Sequence, residues 1–265
     1  MDAAPDNATP VNGAVSSDGF ELSAGVAEVT VPLDGSNPVA VSTSVDGDDL
    51  VAEILLPSAW SLDEGVLTSN GTVVYTGDAN QASVAVQTLS NGDTRVQTII
   101  PDSRAEHEFG YEMPGFQAIL NADGTAAFLA DSAEGAYIPV EKPWAVDANG
   151  EDVDTYYEVR GAKLFQVVVA DETTAYPVVA DPTWGWRNAA WGLTLSRSET
   201  ASIKDYAAAS AFCAALVKNQ KLTVACGIWS GYLQVQAATA NRVKPKGCLH
   251  IVVVPLPGAI THTHC

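Results

Sequence analysis

Residues 83–100 read SVAVQTLSNGDTRVQTII and show the pattern that recurs along the first two thirds of the chain. Ser83–Leu89 and Arg95–Ile100 are rich in β-branched residues and alternate in polarity, which is typical of strands. The Asn91-Gly92 dipeptide between them tolerates the positive φ values that tight hairpin turns require. The stretch therefore predicts two antiparallel strands joined by a short turn.

Six further segments carry the same strand pattern: Gly25–Val31, Leu50–Leu56, Thr72–Thr76, Thr125–Leu129, Tyr156–Arg160 and Leu164–Val169. Turn dipeptides recur at hairpin spacing, namely Asp34-Gly35, Asp46-Gly47, Asn70-Gly71, Asp123-Gly124 and Asn149-Gly150. Together they predict a mainly β module over residues 19–182, an antiparallel meander forming a sandwich or a strongly twisted sheet. Residues 1–18 are polar and rich in small residues and proline, which predicts a disordered leader.

The distribution of charge predicts a domain boundary near residue 183. Residues 1–182 carry 30 acidic and 5 basic residues, whereas residues 183–265 carry 2 acidic and 8 basic residues. The chain of 265 residues has a net charge of −19, which repels nucleic acid and excludes it as an expected partner. No apolar run approaches the roughly 20 residues that span a bilayer, so we expect a soluble protein without a transmembrane segment.

The basic part of the chain, residues 183–265, predicts a small α+β module made of a helical hairpin and a β-hairpin. Ser196-Arg-Ser-Glu199 has the spacing of a capping box and predicts a helix start. Apolar residues at helical spacing continue to Val217, and a second helix is expected over Leu222–Arg242. Leu249–Val254 and Ala259–His264 flank a Pro-rich turn and predict the two strands.

Four cysteines lie in this module, and their positions indicate two disulfides. Cys213 and Cys226 are symmetric about the turn between the helices, and Cys248 and Cys265 are symmetric about the turn between the strands. Of the three pairings that four cysteines allow, this symmetry favours Cys213–Cys226 with Cys248–Cys265. Each bridge would stabilise the module by roughly 3 kcal/mol in the chain-entropy model. Cysteine use of this kind indicates an oxidising compartment and secretion, with Met1 standing where a signal peptide was removed; four free thiols in a cytosolic protein are the alternative.

Two acidic clusters are candidate calcium sites because hard cations prefer oxygen ligands on such turns. The candidate ligands are Asp46, Asp48, Asp49, Asp147, Asn149 and Asp152. Neither cluster has EF-hand spacing, and acidic turns that keep the protein in solution are the favoured alternative. No other cofactor is expected.

The histidines indicate no metal centre. His262 and His264 are weak candidates for a zinc or copper site, because the expected strand register places them on the opposite face from His250. His107 lies between Glu106 and Glu108, which is typical of a solvated surface residue.

A segment before the predicted boundary resembles a known group of proteins. Residues 175–184 read AYPVVADPTW, and Pro143-Trp-Ala-Val and Thr72-Val-Val-Tyr-Thr-Gly-Asp78 lie upstream. These segments resemble a β-rich module of uncharacterised secreted actinobacterial proteins that ends in Tyr-Pro-Val-Val-x-Asp-Pro and precedes a variable C-terminal region. The resemblance covers about residues 60–184. It implies secretion and a carrier role for the β module, and it transfers no catalytic residue.

We interpret the chain as a secreted bacterial protein of cell-envelope interaction or antagonism, in which an acidic β carrier precedes a cationic module. The expected partners are an anionic envelope polymer, an anionic lipid surface or another protein. The candidate contact residues are aromatic and basic: Trp184, Trp186, Trp191, Arg187, Arg197, Lys218, Lys221, Arg242, Lys244 and Lys246. The tryptophans could instead pack at the domain junction. Alternatives are a secreted hydrolase with a carboxylate site in the β module, or a purely structural or adhesive surface protein; no catalytic motif is present, so an enzyme is the less favoured reading.

Overall fold

A computed structural model describes most of the chain. The described residues are 8–25, 27–45, 48–57, 62–78, 81–121, 123–131, 134–186, 189–215, 220–244, 246–254 and 260–264. At 45, 48, 134, 190–194, 213–215, 220–229, 252–254 and 260–264 the description is of the backbone alone. Among the described residues, no helix combines the length and the apolar character needed to cross a membrane.

The protein is mainly β, with antiparallel sheets and a small helical part near the C-terminus. The strands are β1 (Gly13–Val15), β2 (Gly19–Ala24), β3 (Ala27–Pro32), β4 (Val39–Val45), β5 (Asp48–Ile54), β6 (Val66–Leu67), β7 (Thr72–Tyr75), β8 (Ser83–Thr88), β9 (Thr94–Ile100), β10 (Glu108–Tyr111), β11 (Phe116–Leu120), β12 (Ala126–Ala130), β13 (Glu134–Val140), β14 (Trp144–Val146), β15 (Asp154–Arg160), β16 (Lys163–Val169), β17 (Val178–Asp181), β18 (Thr183–Trp184), β19 (Ala190–Thr194), β20 (Gly247–Val254) and β21 (Ile260–His264). The helices are α1 (Arg197–Ser202), α2 (Tyr206–Ala215) and α3 (Gln220–Arg242). The mainly β prediction with a C-terminal helical part is confirmed.

The chain divides into two compact units. The first unit comprises Met1–Phe128 and Ile138–Arg187, and the second comprises Leu129–Tyr137 and Asn188–Cys265. The second unit therefore begins a few residues later than the charge boundary and also takes a short segment from the middle of the chain. Because that segment contributes Asp131 and Glu134, the second unit carries seven basic and four acidic residues.

The first unit is built from antiparallel strands. Strands β1 to β5 form a five-stranded sheet in chain order, and β10, β16 and β15 form a three-stranded sheet. Strands β6 to β9 pair in sequence, and β9 pairs in addition with β17 and β18. Residues on β2 and β3 alternate between buried and exposed, as expected for strands with one buried face, whereas most of β8 and β9 is buried.

The second unit pairs the first part of β13 with β19, β19 with β20 and β20 with β21, all antiparallel. Helices α2 and α3 pack together, and α3 also packs on β20. The core combines apolar residues of α2, α3 and β20 with the residues that follow β19 and α1: Leu195, Ile203, Ala209, Leu233, Ala237, Ala240, Leu249 and Ile251. Small alanine side chains let the helices approach closely.

The eight strands predicted in residues 19–182 and the two of the terminal hairpin all correspond to observed strands. The pattern missed the other strands. Among these, Pro139 interrupts β13, and Pro177 and Pro182 flank β17, and proline argues against strand assignment. Residues 1–18, predicted to be a disordered leader, contain strand β1. This strand forms by pairing with β2, so the residues of β1 need not show a hydrophobic pattern themselves. The expected first helix is broken after Ser202, where the Ile203 side chain enters the core and a new helix starts at Tyr206.

Candidate functional site

The segments that meet at Thr200 in the second unit bring together a set of exposed basic residues. Thr200 accepts a hydrogen bond from the Leu249 backbone through Oγ1 (3.1 Å), and its carbonyl accepts one from Asn241 Nδ2 (3.3 Å). These bonds fasten α1 to the end of α3 and to the start of β20. Five exposed basic residues lie on the joined segments: Arg197, Lys204, Arg242, Lys244 and Lys246. We call these five residues the basic end.

The two carboxylates on the same segments serve as helix caps. Glu199 Oε2 accepts from the Ser196 backbone (2.8 Å), and Ser196 Oγ accepts from the Glu199 backbone, which is the predicted capping box. The Ser196 hydroxyl, which donates to Glu199 Oε2 (2.7 Å), and the Ser196 backbone N–H together hold the pKa of Glu199 below its usual range. Asp205 Oδ1 accepts from the Ala208 backbone (2.8 Å) at the start of α2. Within the described part of the chain, no residue of the basic end forms a salt bridge.

The tryptophans expected to contribute to a contact surface lie in the core. Trp184 and Trp186 are 0% and 1% exposed. Trp184 makes an edge-to-face contact with Tyr111 at a centroid distance of 5.6 Å, and Trp186 Nε1 donates to Thr94 Oγ1 (2.9 Å). Both belong to the first unit. The prediction of a surface role is therefore wrong for both of them. Trp184 lies on β18, which pairs with strands on both sides, and Trp186 follows that strand into the same core.

For four other predicted contact residues the structure describes no side chain. Arg187 and Lys218 are not among the described residues, and of Lys221 and Trp191 the backbone alone is described, in α3 and β19. The basic end thus retains four of the predicted residues, Arg197, Arg242, Lys244 and Lys246. Lys204 was missed by sequence reasoning, although its position directly after the capping-box helix was a usable signal.

The motif that carries the resemblance is part of the first unit's core. Asp181 is buried beside Arg95, with Arg95 Nε 3.5 Å from Asp181 Oδ2. Thr183 Oγ1 donates to Asp181 Oδ2 and accepts from Arg95 Nε (3.3 Å). The Arg95 guanidinium also lies 5.8 Å from the Trp144 ring centroid. Burial raises the pKa of Asp181 to about 7, although Thr183 and Arg95 both favour its ionised form.

The start of the motif is fastened by a histidine that the sequence assigned to the solvated surface. His107 is partly buried, and its Nδ1 lies 2.8 Å from the Ala105 carbonyl while Nε2 lies 2.9 Å from the Tyr176 hydroxyl. A carbonyl only accepts, so Nδ1 carries the proton and Nε2 accepts from Tyr176. His107 therefore links β10 to the segment before β17, which no local pattern could reveal.

In the acidic cluster at residues 147–152, hydrogen bonds from the backbone occupy the Asp147 carboxylate. The Asp147 carboxylate accepts from the backbones of Asn149 (2.8 Å), Glu151 (3.0 Å) and Ala175 (3.1 Å), and these bonds lower its pKa. Its oxygens organise the loop, and Asp152 follows this turn in a bridge to Val146. In the other cluster Asp46 lies outside the described residues, and Asp48 and Asp49 lie on β5. No group of three or more His, Cys, Asp or Glu that could hold a metal is found among the residues described.

The terminal hairpin forms with a register that differs from the expected one. Cys248 pairs with Thr263, His250 with Thr261, and Leu249 with His262. A hairpin symmetric about the Leu256/Pro257 junction would instead pair Cys248 with Cys265, so the register is shifted by two residues. A shift of two leaves every residue on its expected face. His262 and His264 pair with Leu249 and Gly247, and neither lies opposite His250.

No cysteine pair can be described, because Cys248 is the one cysteine whose side chain lies among the described residues. Cys248 is buried. Cys213 and Cys226 lie on α2 and α3, and Cys265 lies outside the described residues. The two pairings stay predictions.

Comparison with protein-family models, with curated proteins and with solved structures finds no match to this chain.

Proposed function

We propose that this is a secreted bacterial protein whose second unit binds anionic polymers of a cell envelope through the basic end. The observation that carries the proposal is the group of five exposed basic side chains on the segments that meet at Thr200, in a chain of net charge −19. Cationic side chains that form no ion pair within the described protein remain available to an external anion. Near an anionic lipid surface, each Lys or Arg is worth about 1 kcal/mol.

The strongly acidic first unit supports a division of labour. It opposes approach to any polyanion, so binding must be directed by the local field of the basic end. Screening acts over about 8 Å at physiological ionic strength, so any acidic residue farther than this from a bound polyanion repels it weakly. We therefore propose that the first unit is a carrier that keeps the protein in solution and restricts binding to one surface.

The hydrolase alternative is less well supported by the geometry. Asp181 is the carboxylate with a pKa near neutrality, but its side chain is 1% exposed and lies against Arg95 and Thr183. A general acid must reach the bond that it protonates. Asp181 is enclosed in the core, so we assign it a role in the stability of the first unit.

The binding test compares two charge-reversal variants of the intact protein with equal changes in net charge. Lys244→Glu with Lys246→Glu changes the basic end, and Arg104→Glu with Lys142→Glu changes exposed residues of the first unit. The binding targets are isolated Gram-positive cell wall and vesicles that contain an anionic lipid, with neutral vesicles as a control. Cosedimentation should show that the basic-end variant loses roughly 30-fold or more in affinity, from two residues at about 1 kcal/mol each. The first-unit variant should lose far less affinity, because its added charges do not lie on the basic end.

Equal losses in the two variants would show that net charge alone decides binding and would remove the basic end as a site. Absence of binding by the unchanged protein to wall and vesicles alike would leave a structural or adhesive role. Circular dichroism of both variants provides the control for folding.

We also propose that two disulfides, Cys213–Cys226 and Cys248–Cys265, cross-link the second unit. The pairing of β20 with β21 supports the second bridge, since Cys248 lies on β20 and Cys265 directly follows β21 in the sequence. The packing of α2 on α3 supports the first bridge. Peptide mapping without reduction should recover both pairs, and a crossed pair would contradict the proposal.

A further inference from the structure

Four turns in the first unit share one backbone arrangement. They span residues 68–72, 89–93, 121–125 and 147–151. In each, the first residue's N–H donates to the carbonyl of the fifth, and the fourth residue's N–H donates to the carbonyl of the first. The fourth residue is always a glycine with φ between 80° and 91°. The residue before it is Asn70, Asn91 or Asn149 in three turns and Asp123 in the remaining one.

The three asparagines differ in how firmly their side chains are held. Asn91 is held at both ends, since Nδ2 donates to Asp93 Oδ2 (2.8 Å) and Oδ1 accepts from the Asp93 backbone (3.1 Å). Asn70 Oδ1 accepts one hydrogen bond, from Thr68 Oγ1. Asn149 is exposed, and its side chain makes no hydrogen bond with the described residues.

The difference at Asn149 is caused by Asp147. In the turns of Asn91 and Asp123, the side-chain oxygen of that residue accepts from the backbone N–H two positions later. In the turn at 147–151 the equivalent donor is the Glu151 N–H, and Asp147 Oδ1 accepts from it instead (3.0 Å). The Glu151 N–H therefore donates to the Asp147 carboxylate and not to the Asn149 side chain.

We propose that Asn149 is a site of spontaneous deamidation. The Gly150 backbone nitrogen loses its proton to solvent and attacks Cγ of Asn149, and the side-chain nitrogen leaves as ammonia, which forms a five-membered succinimide. Water then opens the ring at either carbonyl, and the products are aspartate or isoaspartate at position 149. Glycine has no Cβ to hinder ring closure, and it leaves the backbone more mobile than any other residue does. Water is the only co-reactant.

The two products have different structural consequences. An aspartate fits the same backbone, because Asp123 already occupies the equivalent position with its turn intact. An isoaspartate adds one carbon to the main chain between residues 149 and 150. That carbon displaces the Gly150 and Glu151 N–H groups from their acceptors on Asp147. Either product adds a negative charge beside Asp147, Asp152 and Asp171, which line an open pocket with residue 149.

The experiment is incubation of the intact protein at mildly alkaline pH, followed by peptide mass mapping over time and isoaspartyl methyltransferase labelling. Asn91 and Asn70 are internal controls with the same following residue and the same backbone turn. We expect Asn149 to react faster than Asn91 by roughly tenfold or more, because two hydrogen bonds must break before Asn91 can turn toward its glycine nitrogen. Asn149→Gln should abolish the product at this position, since the corresponding ring closes far more slowly.

The same incubation in denaturant separates the effect of the fold from that of the dipeptide. Asn70, Asn91 and Asn149, together with the fourth Asn-Gly site of the chain at Asn12, should react at similar rates once the chain is unfolded. A folded-state rate at Asn149 equal to or below that at Asn91, or an Asn149 that reacts only in denaturant, would overturn the proposal. Asn149→Asp should melt within about a degree of the unchanged protein, as expected for a surface substitution; a large loss would contradict the inferred fit of the aspartate product.

Discussion

The guanidinium of Arg95 lies beside the carboxylate of Asp181 in the core of the first unit, with both side chains 1% exposed. The pair joins β9 to the end of β17, strands that come from distant parts of the chain. Burial disfavours the ionised form of the carboxylate more than Arg95 and Thr183 favour it, so the pKa of Asp181 rises to about 7. Asp181 Oδ1 has no hydrogen-bond partner among the described residues. Near neutral pH the carboxyl group exists in both its protonated and its ionised form.

The raised pKa of Asp181 predicts that the first unit becomes less stable as pH rises. A carboxyl group whose pKa increases from 3.8 to about 7 on folding binds its proton more tightly in the folded state. Its stabilising contribution is complete below about pH 4 and is lost as the pH approaches 7. Hydrogen exchange of peptides from β9 and β17 should therefore accelerate between pH 5 and 7 after correction for intrinsic exchange. Asp181→Asn should flatten this dependence, whereas Glu172→Gln, the same charge change at an exposed position, should retain it.

His250 predicts the opposite pH dependence for the second unit. Its ring is buried and stacks on Tyr137 at 5.7 Å, and burial lowers its pKa from 6.5 to about 4. The unfolded chain binds the proton more tightly, so stability is complete above about pH 6.5 and declines toward pH 4. The loss should amount to about 3 kcal/mol. Exchange of β20 peptides should accelerate on acidification in the unchanged protein and far less in His250→Phe; equal acceleration in both would exclude His250 as the cause.

Leu233 and Val235 offer a matched test of the second unit's core. They lie two residues apart on α3, but Leu233 is 1% exposed and belongs to the core cluster, whereas Val235 is 58% exposed. Leu233→Ala should destabilise the unit by about 2 to 5 kcal/mol because it leaves a cavity. Val235→Ala should change stability by about 0.5 kcal/mol or less. Thermal melting by circular dichroism measures both, and comparable effects would show that this face of α3 is assigned wrongly.

The capping box predicts that a single hydroxyl supports the start of α1. Ser196→Ala removes the acceptor of the Glu199 N–H and should cost about 1 kcal/mol. Arg197→Ala, at the next position and exposed, should have little effect on stability. Chemical denaturation of both variants measures the difference; no loss in Ser196→Ala would mean that α1 is held by its contacts at Thr200 alone.

The sequence by itself determined the features that depend on neighbouring residues. Strand alternation, Asn-Gly and Asp-Gly turns and the Ser196–Glu199 box act within a few positions. Those among the described residues are found where the pattern placed them, and Asp46-Gly47 lies outside the described residues. The face on which each residue of the terminal hairpin lies was predictable for the same reason, because side chains alternate between the two faces of a strand. The cation-rich character of residues 183–265 also needed no structure.

Only the tertiary structure decided which residues meet across the chain. Trp184 and Trp186 could equally have faced solvent, and their burial follows from strand pairing on both sides of β18 and from the Thr94 hydroxyl. The Arg95–Asp181 and His107–Tyr176 contacts join residues far apart in sequence, and one-dimensional patterns carry no information about such distances. The basic end arises in the same way, since Thr200 joins a short helix, the end of a long helix and the start of a strand. Local chemistry sets the backbone of each element, but burial and charge at a site depend on long-range packing, which the whole chain determines.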